Sequence, residues 1–167
     1  MTITELMQGV TPDPEFEGFS TANDMVLAID FTGTAPDPKN YTVAQAGITE
    51  QTGTLAAETK ESIYIRTGKV TSKTGTSRTF TMTGDRYHSD EFQDALLAHD
   101  LKYGTGQEVI RPYVYFDRLT GKGEKGQVSI SIESDLTGVA GENATFSATL
   151  TSVGVPEEYT YSPSTGG

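Results

Sequence analysis

Several segments of this 167-residue chain alternate apolar and polar residues with a strict period of two. In residues 144–151 (ATFSATLT), Ala144, Phe146, Ala148 and Leu150 share one side, and Thr145, Ser147, Thr149 and Thr151 the other. Residues 128–133 (VSISIE) set Val128, Ile130 and Ile132 against Ser129, Ser131 and Glu133. Residues 79–83 (TFTMT) set Phe80 and Met82 against Thr79, Thr81 and Thr83. Successive side chains of a strand point to opposite faces, so this period predicts strands with one buried and one wet face. The wet face is mostly hydroxyl, with few groups able to serve as acid, base or metal ligand.

Other elements fill in around these runs. Residues 25–31 (MVLAIDF) are apolar enough for a buried strand, and 41–48 form a strand weakened by Ala and Gly. Residues 51–60 are polar and suit a loop or an irregular edge. Residues 62–69 alternate Ile63 and Ile65 with Tyr64 and Arg66, and the Thr/Ser/Gly cluster at 71–77 reads as the turn of a long hairpin. One helix is predicted over residues 90–103. Ser89 is its N-cap, Asp90 and Glu91 lie in its first turn, Gly104 ends it, and Phe92, Ala95 and Leu96 share a face that can lie on a sheet. Strands follow at 108–116, 125–136 and 142–153, punctuated by Gly121, Gly123, Gly138 and Gly141. Many short strands with one helix read as a mainly β fold, a β-sandwich or partly closed barrel with a flanking helix. Residues 1–23, with Thr11-Pro12-Asp13-Pro14 and the anchor candidates Phe16 and Phe19, read as an arm, and 156–167 as a flexible tail.

The length suits a single domain, which at this size buries about 70% of its extended-chain surface without a covalent staple. There is no cysteine, and hence no disulfide framework or thiolate site. No basic region followed by an apolar run opens the chain, and no stretch approaches the ~20 apolar residues of a membrane span, so a soluble protein made in a cytoplasm is expected. The net charge of −11 argues against adhesion to nucleic acid, which draws on clustered Lys and Arg. The acidity fits ordinary solubility, or a surface that lets a polyanion pass without sticking.

The candidate chemistry is thin. His88 and His99 sit at the two ends of the helix region and read as surface or capping residues. Asp85, Asp90, Glu91 and Asp94 fit no calcium-loop spacing and suit a solvated helix start, and Asp13, Glu15 and Glu17 are interrupted by Pro12 and Pro14. Residues 121–126 (GKGEKG) lack the spacing of a phosphate-binding loop and join two strands, so they read as a hairpin turn. No serine occupies a nucleophile elbow, and no carboxylate pair or triad stands out. No cofactor or metal is implied, and an enzyme is not expected.

Three stretches carry a likeness: IYIRTGKV, then SDEFQDALLAHDLKYGTGQEVIRPYVYF, then KGQVSISIESDLTGVAGENATFSATLTSVGVPEE. They are a strand pair, an acidic-capped helix with a Tyr/Phe-rich strand, and a final hairpin ending in a small-residue turn and Pro. Over residues 62–157 this order resembles the major tail proteins that build the tube of long-tailed, siphovirus-type bacteriophages. The resemblance implies a helix-flanked β-sandwich assembled as stacked, hexameric rings around a channel for genome ejection into the host. It implies a virion-tail location after synthesis in the bacterial cytoplasm. Its partners would be further copies of itself and other tail proteins, with DNA passing through unbound and no membrane contact. Polar strand faces line the channel in that family, so the lumen-face candidates are Thr79, Thr81, Thr83, Ser129, Ser131, Glu133, Thr145, Ser147, Thr149 and Thr151. A long loop and terminal arms bridge its rings, so the bridging hairpin falls at 69–78 and the inter-ring candidates are Lys69, Lys73 and Arg78. An immunoglobulin-like binding or decoration module is the alternative, and a carbohydrate-active β-sandwich the third. The tube of a contractile tail or secretion machine is a close variant.

Overall fold

The computed structural model describes residues 1–163. Its strands are β1 (Met25–Asp30), β2 (Tyr41–Val43), β3 (Ile48–Tyr64), β4 (Gly68–Asp85), β5 (Ile110–Asp117), β6 (Lys122–Thr137), β7 (Thr145–Ser152) and β8 (Glu157–Thr160). Three short helices, α1 (Ile3–Leu6), α2 (Glu91–Leu96) and α3 (His99–Tyr103), accompany them. The strands make one eight-stranded antiparallel sheet of order β2-β1-β5-β6-β7-β4-β3, with β8 added to β6. The mainly β architecture is the expected one, but the sheet is not closed. It curls far enough for the Phe80 ring on β4 to meet Tyr113 and Tyr115 on β5, although β6 and β7 lie between those strands.

The apolar side of each alternating run is the buried side. Phe80, Met82, Val128, Ile130, Phe146, Ala148 and Leu150 pack with Phe92, Leu96, Leu97 and Leu101 of the helical segment. Each large side chain among them stabilises the fold by roughly 1.5–3 kcal/mol on full burial. A second cluster, Val26, Ala28, Tyr41, Val43, Val114 and Phe116, lies beneath Ile3 and Met7. Strands β1 and β5 are thus covered on both faces, which is why residues 25–29 (MVLAI) are continuously apolar rather than alternating. The first residues of the segment expected as an arm form α1, closed by a capping box between Thr2 and Glu5, and Thr2 bridges Thr42 along the β2 edge. Of the expected tail, residues 157–160 form β8, while 164–167 lie outside the described residues.

The helix expected over residues 90–103 is two helices, broken at Leu97 and Ala98. In a continuous helix the Phe92–Leu96 stripe would run on to His99, Asp100 and Tyr103, leaving Leu101 off the core face. The break re-aims Leu101 into the core, where it is 4% exposed. Asp90, not Ser89, is the N-cap, its carboxylate accepting from the Gln93 N–H at 2.9 Å. Gly104 ends α3 as expected, its N–H donating to Asp100 O at 2.8 Å. The strand expected over residues 41–48 is only β2; a turn through Gly47, at φ +70°, leads straight into β3.

The largest difference is in the hairpin. Residues 51–60, expected as a loop or a short irregular edge, are part of the long edge strand β3, and the expected turn at 71–77 is strand as well. The turn lies at residues 65–67, with Arg66 at φ 73° and Gly68 at φ 71°. Strand β4 is paired to β7 only from Thr79 to Asp85, so beyond Leu55 and Arg78 the two strands form a free ribbon with solvent on both faces. Ten cross-strand pairs, Leu55↔Arg78 to Tyr64↔Gly68, extend it by about 33 Å. With no core beneath it, the ribbon needs no apolar period, and its Thr, Ser, Lys and Gly content imitates a loop.

Gln93 joins the helical segment to the sheet. It is fully buried; its Nε2 donates to Ala46 O and Asp85 O, and its Oε1 accepts from the Tyr87 N–H and from Arg86. Replacing it with leucine strands two carbonyls and an N–H, so Gln93→Leu should lose about 2–4 kcal/mol of unfolding free energy in urea denaturation followed by circular dichroism.

Candidate functional site

The lumen-face candidates come together on one face of the adjacent strands β4, β7 and β6, and β3 extends that face. Thr54, Thr79, Thr151 and Ser129 form one row across β3, β4, β7 and β6, and Thr52, Thr81, Thr149 and Ser131 form the next. Glu50, Thr83, Ser147 and Ser134 make a third row. Thr145 stands opposite Asp85 and Thr137, and its hydroxyl donates to Thr137 O at 3.1 Å. Glu133 is the extra residue of a bulge between Ile132 and Ser134, so Ser134 takes the place opposite Ser147. Strands lie about 4.8 Å apart, so the rows span roughly 14 Å of surface. Within them the charged groups are Glu50, Asp85 and Glu133, with no Lys or Arg. Thr52, Thr54 and Ser134 were not legible as members. The alternation Thr52-Gly53-Thr54-Leu55 was the available signal for the first two, hidden by the polar character of residues 58–62.

These rows offer hydroxyl groups that hold water and donate or accept neutral hydrogen bonds. They do not assemble acid–base chemistry. Among the described residues, no three His, Asp or Glu side chains gather in a group able to hold a metal ion. His88 and His99 are not buried, and the His99 ring leans on Tyr103 at 4.9 Å.

The three inter-ring candidates are not together. Lys69 and Lys73 lie on the free ribbon, where Lys69 Nζ pairs with Glu61 of the facing strand at 2.7 Å and Lys73 is exposed. Arg78 instead stands where the ribbon leaves the sheet and turns inward. Its guanidinium lies over the rings of Phe80 and Tyr115, 4.6 and 5.1 Å from their centroids, and its Nε donates to Glu124 Oε1 on β6 at 2.8 Å. The Tyr113 hydroxyl donates to the same oxygen at 3.1 Å. Burial, reinforced by the Glu124 carboxylate, pushes the Tyr113 phenol well above its ordinary range, so it stays a donor. Gly53 completes the arrangement, because a Cβ there would come within 3.2 Å of the guanidinium. Four strands, β3 to β6, meet at this ion pair, which fixes the direction in which the ribbon departs.

The ribbon ends in apolar side chains. Ile63, Tyr64, Ile65 and Val70 are all exposed at its tip, with Ile65 93% accessible. Phe19, in the segment expected as an arm, is 99% accessible, while Phe16 is partly covered. Isolated exposed apolar residues are ordinary, but these four gather into one exposed apolar patch at the end of a projecting ribbon.

No family model and no curated protein matches this sequence. Solved structures do match its fold. One is a chain from the tail of an empty gene transfer agent particle, determined with C6 symmetry: 17% identical, TM-score 0.60, covering 86% of this chain and 100% of that one. Another is a chain from the virion of a native gene transfer agent particle, 15% identical with TM-score 0.58, covering 85% of this chain and 100% of that one. At these identities the likeness shows a shared fold.

The Arg78–Glu124 pair is largely shielded from solvent, so its two charges should be energetically coupled. A double-mutant cycle of Arg78→Ala and Glu124→Ala, read by denaturant unfolding, should return a coupling energy of about 1–3 kcal/mol, and zero coupling would remove the pair's part in anchoring the ribbon.

Proposed function

We propose that this chain is a structural subunit of a phage-type tail tube, assembling as stacked rings around a channel that DNA traverses. The observation that carries this reading is the registered hydroxyl face: three rows across four strands, acidic at the margins and free of Lys and Arg. It is supported by a fold shared with chains from gene transfer agent tails, one determined with C6 symmetry. Duplex DNA carries about one negative charge per 1.7 Å of axis, so a lining with cations would hold it through many phosphate contacts. Hydroxyls keep their water and form short-lived neutral contacts, and the scattered carboxylates repel phosphate. The protein's role is then structural rather than catalytic, in the tail of a virion made in a bacterial cytoplasm.

In this reading the face joins the faces of neighbouring copies, six to a ring, a number in keeping with the C6 symmetry of the matched tail. The open β3 edge is available for sheet continuation, whereas the β2 edge is covered by the N-terminal residues. The ribbon, running from 55 to 78 rather than 69 to 78, bridges to another copy, and Lys73 with the tip residues takes part in that contact. The partners are further copies and other tail components.

Two experiments test it. Replacing residues 57–76 with an Asn-Gly turn should give a folded monomer that forms no rings or tubes under negative stain. A decoration module so shortened would keep its assembly state. Introducing Thr81→Lys with Thr149→Lys should leave tubes intact but slow DNA passage roughly tenfold at low salt, with recovery as salt rises. Unchanged passage would sink the assignment of this face to the lumen.

A further inference from the structure

If copies of this chain stack as a tube, each ribbon tip must be received by some surface of another copy. An apolar groove of about 610 Å³ opens on the same face of the sheet as the hydroxyl rows, lined by Pro38, Tyr41, Val114, Val155, Tyr159 and Tyr161 among others. It begins where the rows end. On β7 the row residue Thr151 is followed two positions later by Val153, which lines the groove, and on β6 the row residue Ser129 is preceded by Gln127, which also lines it. The remaining walls come from the segment around Pro36, from α1 and from β2, β5 and β8. Resting on the tube reading, we propose that this groove is the socket for the ribbon tip of a second copy of this chain.

Chemistry, charge and placement on the sheet support that occupant. The tip presents Ile63, Tyr64, Ile65 and Val70 to solvent, and an apolar, aromatic- and proline-lined groove suits them. Charge is segregated in the same sense. Residues 56–77 carry four basic and two acidic side chains, a net +2 in a chain of −11, so the remainder carries −13. A cationic ribbon is drawn to the anionic body of another copy and repelled from another ribbon. The groove itself carries Lys39, Lys125 and Glu157, with Lys125 and Glu157 paired at 3.6 Å, so the attraction is between ribbon and body as wholes and the seat itself is apolar.

Placement makes the contact one between copies. The ribbon leaves from β3 and β4 at one end of the strand order, while the groove is built on β2, β5, β6 and β8 toward the other. A folded chain of this length has a radius of gyration near roughly 15 Å, so a ribbon of about 33 Å carries its tip clear of its own body. The tip residues touch little of their own chain, as the 84% and 93% exposure of Ile63 and Ile65 records. A knob on one end and a socket on the other make a heterologous contact, which repeats from copy to copy instead of closing on a pair.

The absence of cysteine makes the contact directly measurable. Ile65 and Val155 are 93% and 87% accessible, so Ile65→Cys and Val155→Cys disturb no packing. A short bismaleimide applied to the concentrated double variant should give a ladder of dimers, trimers and higher species on denaturing gels. Mixing the two single variants should give heterodimers and no ladder. Adding Tyr159→Asp, with circular dichroism confirming the fold, should abolish the products. Tubes visible by electron microscopy without 65–155 crosslinking would overturn the socket and leave the tube reading standing. Crosslinked ladders without rings or tubes would support the socket and overturn the tube. Ile65→Cys crosslinking only to itself would replace the socket with a tip-to-tip contact and so overturn it.

Discussion

Burial of Phe80, Met82, Ile130, Phe146 and Leu150 beneath the helical segment locks the register of β4, β6 and β7, and the other features depend on that lock. Side chains alternate along a strand, so a slip of one residue in any of these strands would put threonine or serine into the core and an aromatic or aliphatic residue into water. The hydroxyl rows are therefore not an independent design. They are the other side of the same constraint, and they line up across strands because the apolar residues behind them do. A face assembled this way is flat in chemistry but rigid in position, since moving one hydroxyl requires moving a packed ring.

The features legible in the sequence are those that this packing dictates. The alternating runs at 79–83, 128–133 and 144–151 were readable because each has a core on one side only, and β1 because it has a core on both. The helix break was not, because nothing in DALLAHDL signals that Leu101 must turn back toward Leu97. The ribbon was the hardest, and for a physical reason. Periodicity records the difference between a dry and a wet side, and two strands with water on both sides have no such difference to record. Arg78 illustrates the same limit. As a lone cation beside a threonine-rich run it resembles a surface residue, and only the curl of the sheet, which brings Tyr115 and Glu124 to it, makes it a buried anchor.

Charge and topology are arranged together. The strongly acidic body and the weakly basic ribbon keep free copies in solution apart from like surfaces while favouring unlike ones. One sheet edge is covered by residues at the N-terminus and the other extends into the ribbon, so the molecule has a front and a back. Asymmetry of that kind favours growth in one direction over pairing into dead-end dimers.

The register shift between Glu58 and Thr59 carries a mechanical meaning. A two-stranded ribbon with no layer packed on it is only marginally stiff, and a bulge adds local twist and a place to bend. In a stack of copies joined through such ribbons, curvature of the whole filament would be absorbed at these joints. The packed sheets would keep their shape, so the bore of a bent filament would stay round.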